Sequence, residues 1–309
     1  RYVIAYNGEV YNFPEMRAEL VDRCHEFNGH SDTEVILAAI VEWGLEAAVG
    51  RFVGMFAFAL WDRRERTLAL VRDRLGIKPL YYAQFGQHLI FASEIRALRT
   101  HPAFQGDVDR DALALYLKRN CVPAPKTIFQ NVHKLPMGTV LRCDGKGKIE
   151  LTPYWSLRQV AEGGQASRFQ GSEADARVEL ERLLAEAVRC RMVADVPLGV
   201  FLSGGVDSST VAALMQQQSA RPVKTFSIGF DDAGYDEAED AKAVARHLGT
   251  EHHELYLSEA DALDVVPRLG GMYDEPFADS SQIPTYLVSK VARGKVTVAL
   301  SGDGGDELF

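Results

Sequence analysis

The chain has 309 residues, 47% hydrophobic and 25% charged, ordinary proportions for a globular protein and, at ~150 residues per domain, enough for two cores. Acidic residues outnumber basic ones 43 to 34 for a net charge of −9, and the imbalance is local: residues 1–150 hold 20 basic and 18 acidic groups, residues 151–309 hold 14 and 25. No basic stripe is present to neutralise a phosphate backbone and no apolar run approaches the ~20 residues of a membrane span, so neither nucleic acid nor membrane is expected as a partner.

Short strands with a few helices fill the first part. Tyr2–Tyr6 reads as a strand ending in a tight turn at Asn7-Gly8. Helical spacing of Met16, Leu20 and Val21, with Pro14 in the first turn, predicts a helix over Phe13–Cys24. Ser31 or Asp32 caps a second helix that Gly44 ends. Strands follow at Met55–Trp61 and Thr67–Arg72, then a turn at Leu75–Pro79 served by Lys78, then strands at Leu80–Gln84 and His88–Ala92. So many short strands in succession predict stacked sheets.

Residues 144–172 are rich in Gly, Ser, Gln and charge and read as a linker, giving domains at 1–143 and 173–309. Beyond it the rhythm alternates. An amphipathic helix over Glu173–Val193 carries Val178, Leu180, Leu183, Leu184, Ala187 and Val188 on its apolar side. Strands at Val196–Leu202, Val223–Ile228, Glu254–Leu257 and Val296–Leu300 then alternate with helices at Thr210–Gln218 and Glu237–His247 and a further helical segment, the pattern of a parallel α/β sheet. His252-His253 is expected on an edge strand, and Tyr235-Asp236-Glu237 is expected to cap the next helix.

The sharpest motif is Ser203-Gly204-Gly205-Val206-Asp207-Ser208-Ser209, between a strand and a helix. Its glycines admit close backbone approach and the helix offers unpaired N–H groups, which is phosphate-binding geometry; the lysine of the G-x-x-x-x-G-K-S/T loop is absent. Asp207 inside such a cradle calls for a divalent cation between carboxylate and phosphate. Ser301-Gly302-Asp303-Gly304-Gly305-Asp306-Glu307 follows a second buried strand, and loops at the carboxyl ends of parallel strands share one crevice. Asp207 and Asp306 are therefore the candidate Mg²⁺ ligands. In the first half, the Asn7 amide beside the Gly8 N–H has the makings of an oxyanion hole, and Asp32 could grip an ammonium group; a hairpin turn and a helix cap account for the same residues equally well. The four cysteines, Cys24, Cys121, Cys143 and Cys190, form no C-x-x-C pair and read as reduced, mostly packed thiols of a cytoplasmic protein.

Eight stretches in order along the chain resemble the glutamine-hydrolysing asparagine synthetase family: Y-N-G-E-V-Y-N (6–12), S-D-T-E (31–34), D-R-L-G-I-K-P-L-Y-Y (73–82), F-A-S-E-I-R-A-L (91–98), L-S-G-G-V-D-S-S (202–209), F-S-I-G-F (226–230), D-E-P-F-A-D-S-S (274–281) and S-G-D-G-G-D-E-L-F (301–309). The resemblance implies an α+β glutaminase of stacked antiparallel sheets, Ntn-hydrolase-like, followed by an α/β parallel-sheet ATP-pyrophosphatase domain. It implies that Asn7 and Gly8 stabilise the oxyanion of glutamine hydrolysis and that Glu9 and Asp32 lie with Asn7 in the glutamine pocket. It gives ATP contacts to Leu202, Ser203, Gly204, Gly205, Asp207, Ser208, Ser209, Ile228, Ser301 and Gly302, Mg²⁺ to Asp207 and Asp306, and acyl-adenylate formation to Asp303, where the family often has Glu. Glutamine, aspartate and ATP are the implied small-molecule substrates, and a homodimer is compatible with it. Alternatives are an amidotransferase of the same family acting on another carboxylate, such as a sugar acid, and a nucleotide-binding module without catalysis. The family's nucleophile is an N-terminal cysteine whose α-amine is the base, a role that neither Cys24 nor Cys121 can fill. With Arg1 opening on an apolar run and Phe309 following a Gly/Asp-rich loop, the expectation is a fragment cut at both ends.

Overall fold

In the computed structural model, which describes residues 1–230 and 238–306, a period of two organises the first half. The elements run β1 (Tyr2–Val10), α1 (Phe13–Asp22), α2 (Asp32–Trp43), α3 (Leu45–Arg51), β2 (Gly54–Asp62), β3 (Thr67–Arg72), β4 (Tyr81–Phe85), β5 (His88–Ala92), α4 (Ile95–Leu98), α5 (Arg110–Arg119), β6 (Val132–Lys134), β7 (Thr139–Cys143), β8 (Ile149–Pro153) and α6 (Leu157–Ala166). An antiparallel sheet of order β1-β2-β3-β7-β8 carries Phe56, Phe58, Leu60, Val71 and Val140 on one face, against Met16, Leu20, Val35, Ile36 and Ala48 of the first three helices. The intervening residues Ala57, Ala59, Leu70 and Leu141 point the other way, onto Leu80, Tyr82 and Phe91 of the β5-β4-β6 sheet. Helices, five-stranded sheet and three-stranded sheet thus form successive layers. Alanines on one face of β2 and phenylalanines on the other set the close and the deep side of the packing.

β1 does not stop at Asn7-Gly8. It pairs with β2 residue for residue from Tyr2 opposite Asp62 to Val10 opposite Gly54, so the expected tight turn is replaced by continuous strand. A nine-residue ladder outweighs the local turn preference of two residues. Gly8 (φ +143°) is required because a Cβ there would stand 2.1 Å from the Met55 carbonyl oxygen, and Gly54 mirrors it against the Glu9 carbonyl at 2.1 Å. Ser31, not Asp32, is the N-cap of α2, accepting from Thr33 N–H at 3.1 Å. Cys24 lies just past α1 and is exposed, and the other three cysteines are half-buried, so the thiols are less packed than their spacing implied. The expected linker is also partly structured: β8 extends the five-stranded sheet by pairing with β7, and Ser156 caps α6.

The second half follows the alternating pattern: α7 (Glu173–Arg191), β9 (Leu198–Phe201), α8 (Val206–Gln218), β10 (Lys224–Phe230), α9 (Ala238–Leu248), β11 (Glu251–Leu257), α10 (Glu259–Met272), α11 (Gln282–Arg293) and β12 (Val298–Leu300). The four strands are parallel in the order β11-β10-β9-β12. Val200, Leu202, Ala212, Met215, Ala241 and Ala245 form the core with α8 and α9, and Phe226 packs with Ala292 and Val296 at α11. Only the C-terminal part of the α7 apolar stripe is used. Val188 is buried and Leu184 packs beside it, whereas Val178 and Leu183 are exposed. Tyr235-Asp236-Glu237 and Glu307 lie outside the described residues.

The chain divides into two compact units, Arg1–Arg168 with Tyr273–Ala278, and Phe169–Met272 with Asp279–Phe309. The acidic stretch around Asp274 and Glu275, expected in the second domain, therefore packs with the first. Among the described residues no helix is long and apolar enough to cross a membrane.

Candidate functional site

In the first unit the candidate site forms on the free edge of β1. Phe56, opposite Gly8, gives both its main-chain groups to Asp73: its N–H to Asp73 Oδ2 at 3.1 Å and its carbonyl to Asp73 N–H at 2.8 Å. Main-chain polarity alternates along an antiparallel ladder. The N–H of Gly8 therefore points off the edge, on the same side as that of Val10, two residues on. Val10 N–H is met at 3.0 Å by Asp32 Oδ2, which also accepts from the Tyr6 hydroxyl at 2.6 Å. Burial and this carboxylate hold the Tyr6 phenol well above its ordinary pKa, so it stays a donor. Asn7 and Glu9 share the exposed face of β1, and Asn7 donates from Nδ2 to Ser93 Oγ at 3.3 Å. The same strand edge thus carries the Asn7 amide, the outward Gly8 N–H and, at Tyr6 and Val10, the contacts of a helix-borne carboxylate.

Asp73 is the residue that sequence reasoning missed. It is fully buried and accepts from the main-chain N–H groups of Phe56, Leu75, Ile77 and Lys78, while the Arg72 guanidinium donates to the carbonyls of Gly76, Lys78 and Leu135. Together they fold the 74–79 turn and, through Phe56, aim Gly8 outward. The signal was an aspartate leading into a Gly- and Pro-containing turn.

In the second unit, strand order places β9 and β12 side by side although α8, α9, α10 and α11 intervene in sequence. The order reverses there, and a crevice opens at the carboxyl ends of the strands at such a switch point. Both glycine-rich loops leave from it. Gly204 (φ +84°) presses on α9, where a Cβ would stand 2.7 Å from Asp240 Cβ. Gly205 is the N-cap of α8 and supplies no side-chain cap. Ser203 Oγ and Ser208 Oγ meet at 2.9 Å, and Gly205 N–H donates to Ser203 Oγ at 3.3 Å. Those two hydroxyls brace the turn, which leaves main-chain amides to face a ligand. Ser209 Oγ is buried without a hydrogen-bond partner.

The second loop lies against the first. A Cβ on Gly302 would stand 2.7 Å from Ser208 N, and one on Gly305 would stand 2.2 Å from Asp207 Oδ2. Leu202 is 1% exposed and packs in the core between the sheet and α8, and Ile228 packs against Leu257, Val265 and Leu287, so only their main chains are available at the strand ends. Ser301 Oγ donates to Asp303 Oδ2 at 3.0 Å, and Asp303 and Asp306 are exposed. Among the described residues no three His, Cys, Asp or Glu side chains converge as a closed metal cage. Asp207 Oδ2 lies against Gly305, the residue that precedes Asp306, and two carboxylates on adjoining loops have the oxygen chemistry that Mg²⁺ takes.

His252 and His253 lie on β11, an edge strand of the parallel sheet, as expected. His252 Nδ1 lies 2.7 Å from Thr225 Oγ1 and its Nε2 lies 3.2 Å from Ser227 Oγ, both on the neighbouring β10.

Comparison with known proteins adds the following. A family model described as glutamine amidotransferase domain matches residues 1–155, and one described as asparagine synthase matches residues 179–309. The chain is 38% identical to a putative glutamine-hydrolyzing asparagine synthetase 2 of Methanocaldococcus jannaschii, over 99% of this chain and 58% of that protein. It is 37% identical to glutamine-hydrolyzing asparagine synthetase 1 of Bacillus subtilis, over 100% of this chain and 47% of that protein. The chain thus spans about half the length of these curated relatives. Among solved structures, a glutamine phosphoribosylpyrophosphate amidotransferase of B. subtilis superposes with a TM-score of 0.37 at 13% identity, over 82% of this chain and 61% of that one.

Proposed function

The chain belongs to the family that joins a glutamine amidotransferase domain to an asparagine synthase domain, and from that premise we propose that the whole protein makes asparagine from aspartate, glutamine and ATP. The supporting observation is the pair of glycine-rich loops laid together over the N-terminus of α8 at the β9/β12 switch point. The names of the relatives supply the reaction class.

On this reading the first unit is an Ntn-type glutaminase. Water and glutamine give glutamate and ammonia through a tetrahedral oxyanion. Asn7 Nδ2 and Gly8 N–H donate to that oxyanion, Asp32 holds the substrate's ammonium group, and Glu9 lies in the same pocket. The second unit is an ATP-pyrophosphatase-type synthetase. The 203–209 loop cradles the phosphates with the main-chain amides not used inside the turn, Ser209 Oγ is free to add a hydrogen bond, and the main chains of Leu202, Ile228, Ser301 and Gly302 line the rest of the nucleotide site. Asp207 and Asp306 would hold Mg²⁺, which when bound neutralises phosphate charge. Asp303 stands at the position for forming the acyl-adenylate. The side-chain carboxylate of aspartate displaces pyrophosphate from ATP, and ammonia then displaces AMP from the acyl carbon. Adenylation is needed because a carboxylate oxygen is a very poor leaving group and AMP a good one.

The test uses the full-length protein with ATP, Mg²⁺ and ammonia, following pyrophosphate release with and without aspartate. Release that requires aspartate and yields asparagine supports the reading. Intact MgATP binding without aspartate-dependent release would replace it with amidation of another carboxylate. Binding with neither glutaminase nor synthetase activity would leave a nucleotide-binding module.

A further inference from the structure

Asn7 is held by a short relay of contacts inside the first unit. Its Nδ2 donates to Ser93 Oγ at 3.3 Å, and an exposed bond of that length orients an amide weakly unless its acceptor is fixed. Ser93 directly precedes Glu94, the N-cap of α4, which makes no side-chain cap. The cap comes instead from far along the chain. Asp274 Oδ2 accepts the Ile95 N–H at 2.5 Å, and Oδ1 accepts from Arg96 Nε at 2.8 Å, with the Asp274 side chain only 11% exposed. The segment bearing Asp274 is itself pinned. Glu275 forms an ion pair with Lys134 and accepts the Ile128 N–H at 3.1 Å, and Ala278 N–H donates to the Asn120 carbonyl at 2.8 Å. A charge-assisted bond from a mostly buried carboxylate to the first amide of a helix is far stiffer than the Asn7–Ser93 contact it supports.

We propose that Asp274 is a positioning residue for Asn7: by fixing the start of α4 it fixes Ser93 Oγ, which engages one Nδ2 hydrogen of Asn7 and turns the other toward the oxyanion. The proposal rests on the reading that Asn7 and Gly8 form the oxyanion hole. Asp274 touches no reacting atom. Its effect is confined to the orientation of a donor that matters when negative charge develops, so it bears on turnover more than on glutamine binding.

The experiment is a double-mutant cycle on the full-length protein with Asp274→Ala, Ser93→Ala and the pair, reading kcat and KM for glutamine hydrolysis and the rate of ammonia-dependent pyrophosphate release. Asp274→Ala is expected to lower the glutaminase kcat on the order of tenfold, a loss in keeping with a displaced catalytic donor, with KM and the ammonia-dependent rate unchanged. Asp274→Asn, whose remaining carbonyl oxygen can still accept the Ile95 N–H, is expected to restore most of it. In the Ser93→Ala background Asp274→Ala is expected to cost nothing further. An equal loss in both backgrounds, or a parallel fall in the ammonia-dependent rate, overturns the proposal. Should Asp274→Ala fail to fold, Ser93→Ala decides: it is expected to give the same selective fall in glutaminase kcat, and an unchanged kcat overturns the proposal. A fully active Asn7→Ala would instead overturn the oxyanion reading itself, a result separable from the behaviour of Asp274.

Discussion

The carboxylate of Asp207 lies against the main chain of Gly305, so close that a Cβ on Gly305 would stand 2.2 Å from Asp207 Oδ2. One loop thereby sets where the other's acidic group can be. Gly305→Ala is expected to push the carboxylate aside while the fold persists, because the obstructing atom is the far end of a side chain. Affinity for MgATP should fall about tenfold or more, and Asp207→Asn should fall with it, since each removes one correctly placed oxygen from the metal. Calorimetric titration with ATP in the presence and absence of Mg²⁺ checks this. Equal binding by both variants and the parent would place the metal elsewhere.

The two N–H donors at Asn7 and Gly8 differ in what can be removed without harm to the strand. Asn7 is exposed and its side chain leaves the ladder untouched. Asn7→Ala is expected to lower glutamine-dependent synthesis about 10²–10³-fold, the usual cost of one oxyanion donor. Synthesis from free ammonia should be spared. Parallel loss of both routes would make Asn7 a structural residue.

The same edge shows how far the sequence could be read. Apolar alternation along β2 and β3 carries its own packing instruction, and Thr67–Arg72 and His88–Ala92 form strands with the expected ends. The strand–loop–helix setting of Ser203–Ser209 was equally legible, because glycines at a strand end and an uncapped helix start are local signals. Asn7-Gly8 was misread as a turn because the deciding partner is Met55, whose carbonyl occupies the space of the missing Cβ. The roles of Asp73 and Asp274 were hidden for the same reason. An aspartate advertises a cap only for its own neighbours, whereas these two serve Phe56 and Ile95 across the fold.

His252 makes stability depend on pH in a direction that can be worked out. Its side chain is 10% exposed between Thr225 and Ser227, and burial is the main influence lowering its pKa, with His253 and Lys242 adding to it and Glu254 opposing. The folded value lies below the unfolded one of about 6.5, so the unfolded chain binds more protons as pH falls. The contribution is fully present above the unfolded pKa and is lost as pH drops through the folded value. The melting temperature is expected to fall between about pH 7 and pH 5, and His252→Gln should flatten that slope because glutamine offers a donor and an acceptor without titrating. Melting curves of both proteins across this range decide it; identical slopes would mean that other groups carry the dependence.

Gly8 and Gly44 separate two costs of adding a methyl group. Both have positive φ, +143° and +80°, but a Cβ on Gly44 would meet nothing within 4 Å, whereas one on Gly8 would strike the Met55 carbonyl oxygen at 2.1 Å and Phe56 Cα at 2.6 Å. Gly44→Ala carries only the backbone penalty of a residue at φ 80° and ψ 162°, a region almost confined to glycine, about 1–3 kcal/mol. Gly8→Ala adds a collision with the main chain of β2, and nothing there can rotate away. That collision is expected to add about 1–3 kcal/mol to the backbone penalty, enough to shift the urea midpoint of the first unit beyond that of Gly44→Ala. The clash also forces β1 away from β2, so the Gly8 N–H should leave the edge position that the Asp73–Phe56 pairing gives it. Glutamine hydrolysis should then fall even at temperatures where the variant is fully folded, while Gly44→Ala, far from the donor pair in sequence and capping a helix instead, keeps its activity. Equal midpoints for the two variants would show that β1 yields to the methyl group at no cost, and the close approach of the two strands would not be what requires glycine at position 8.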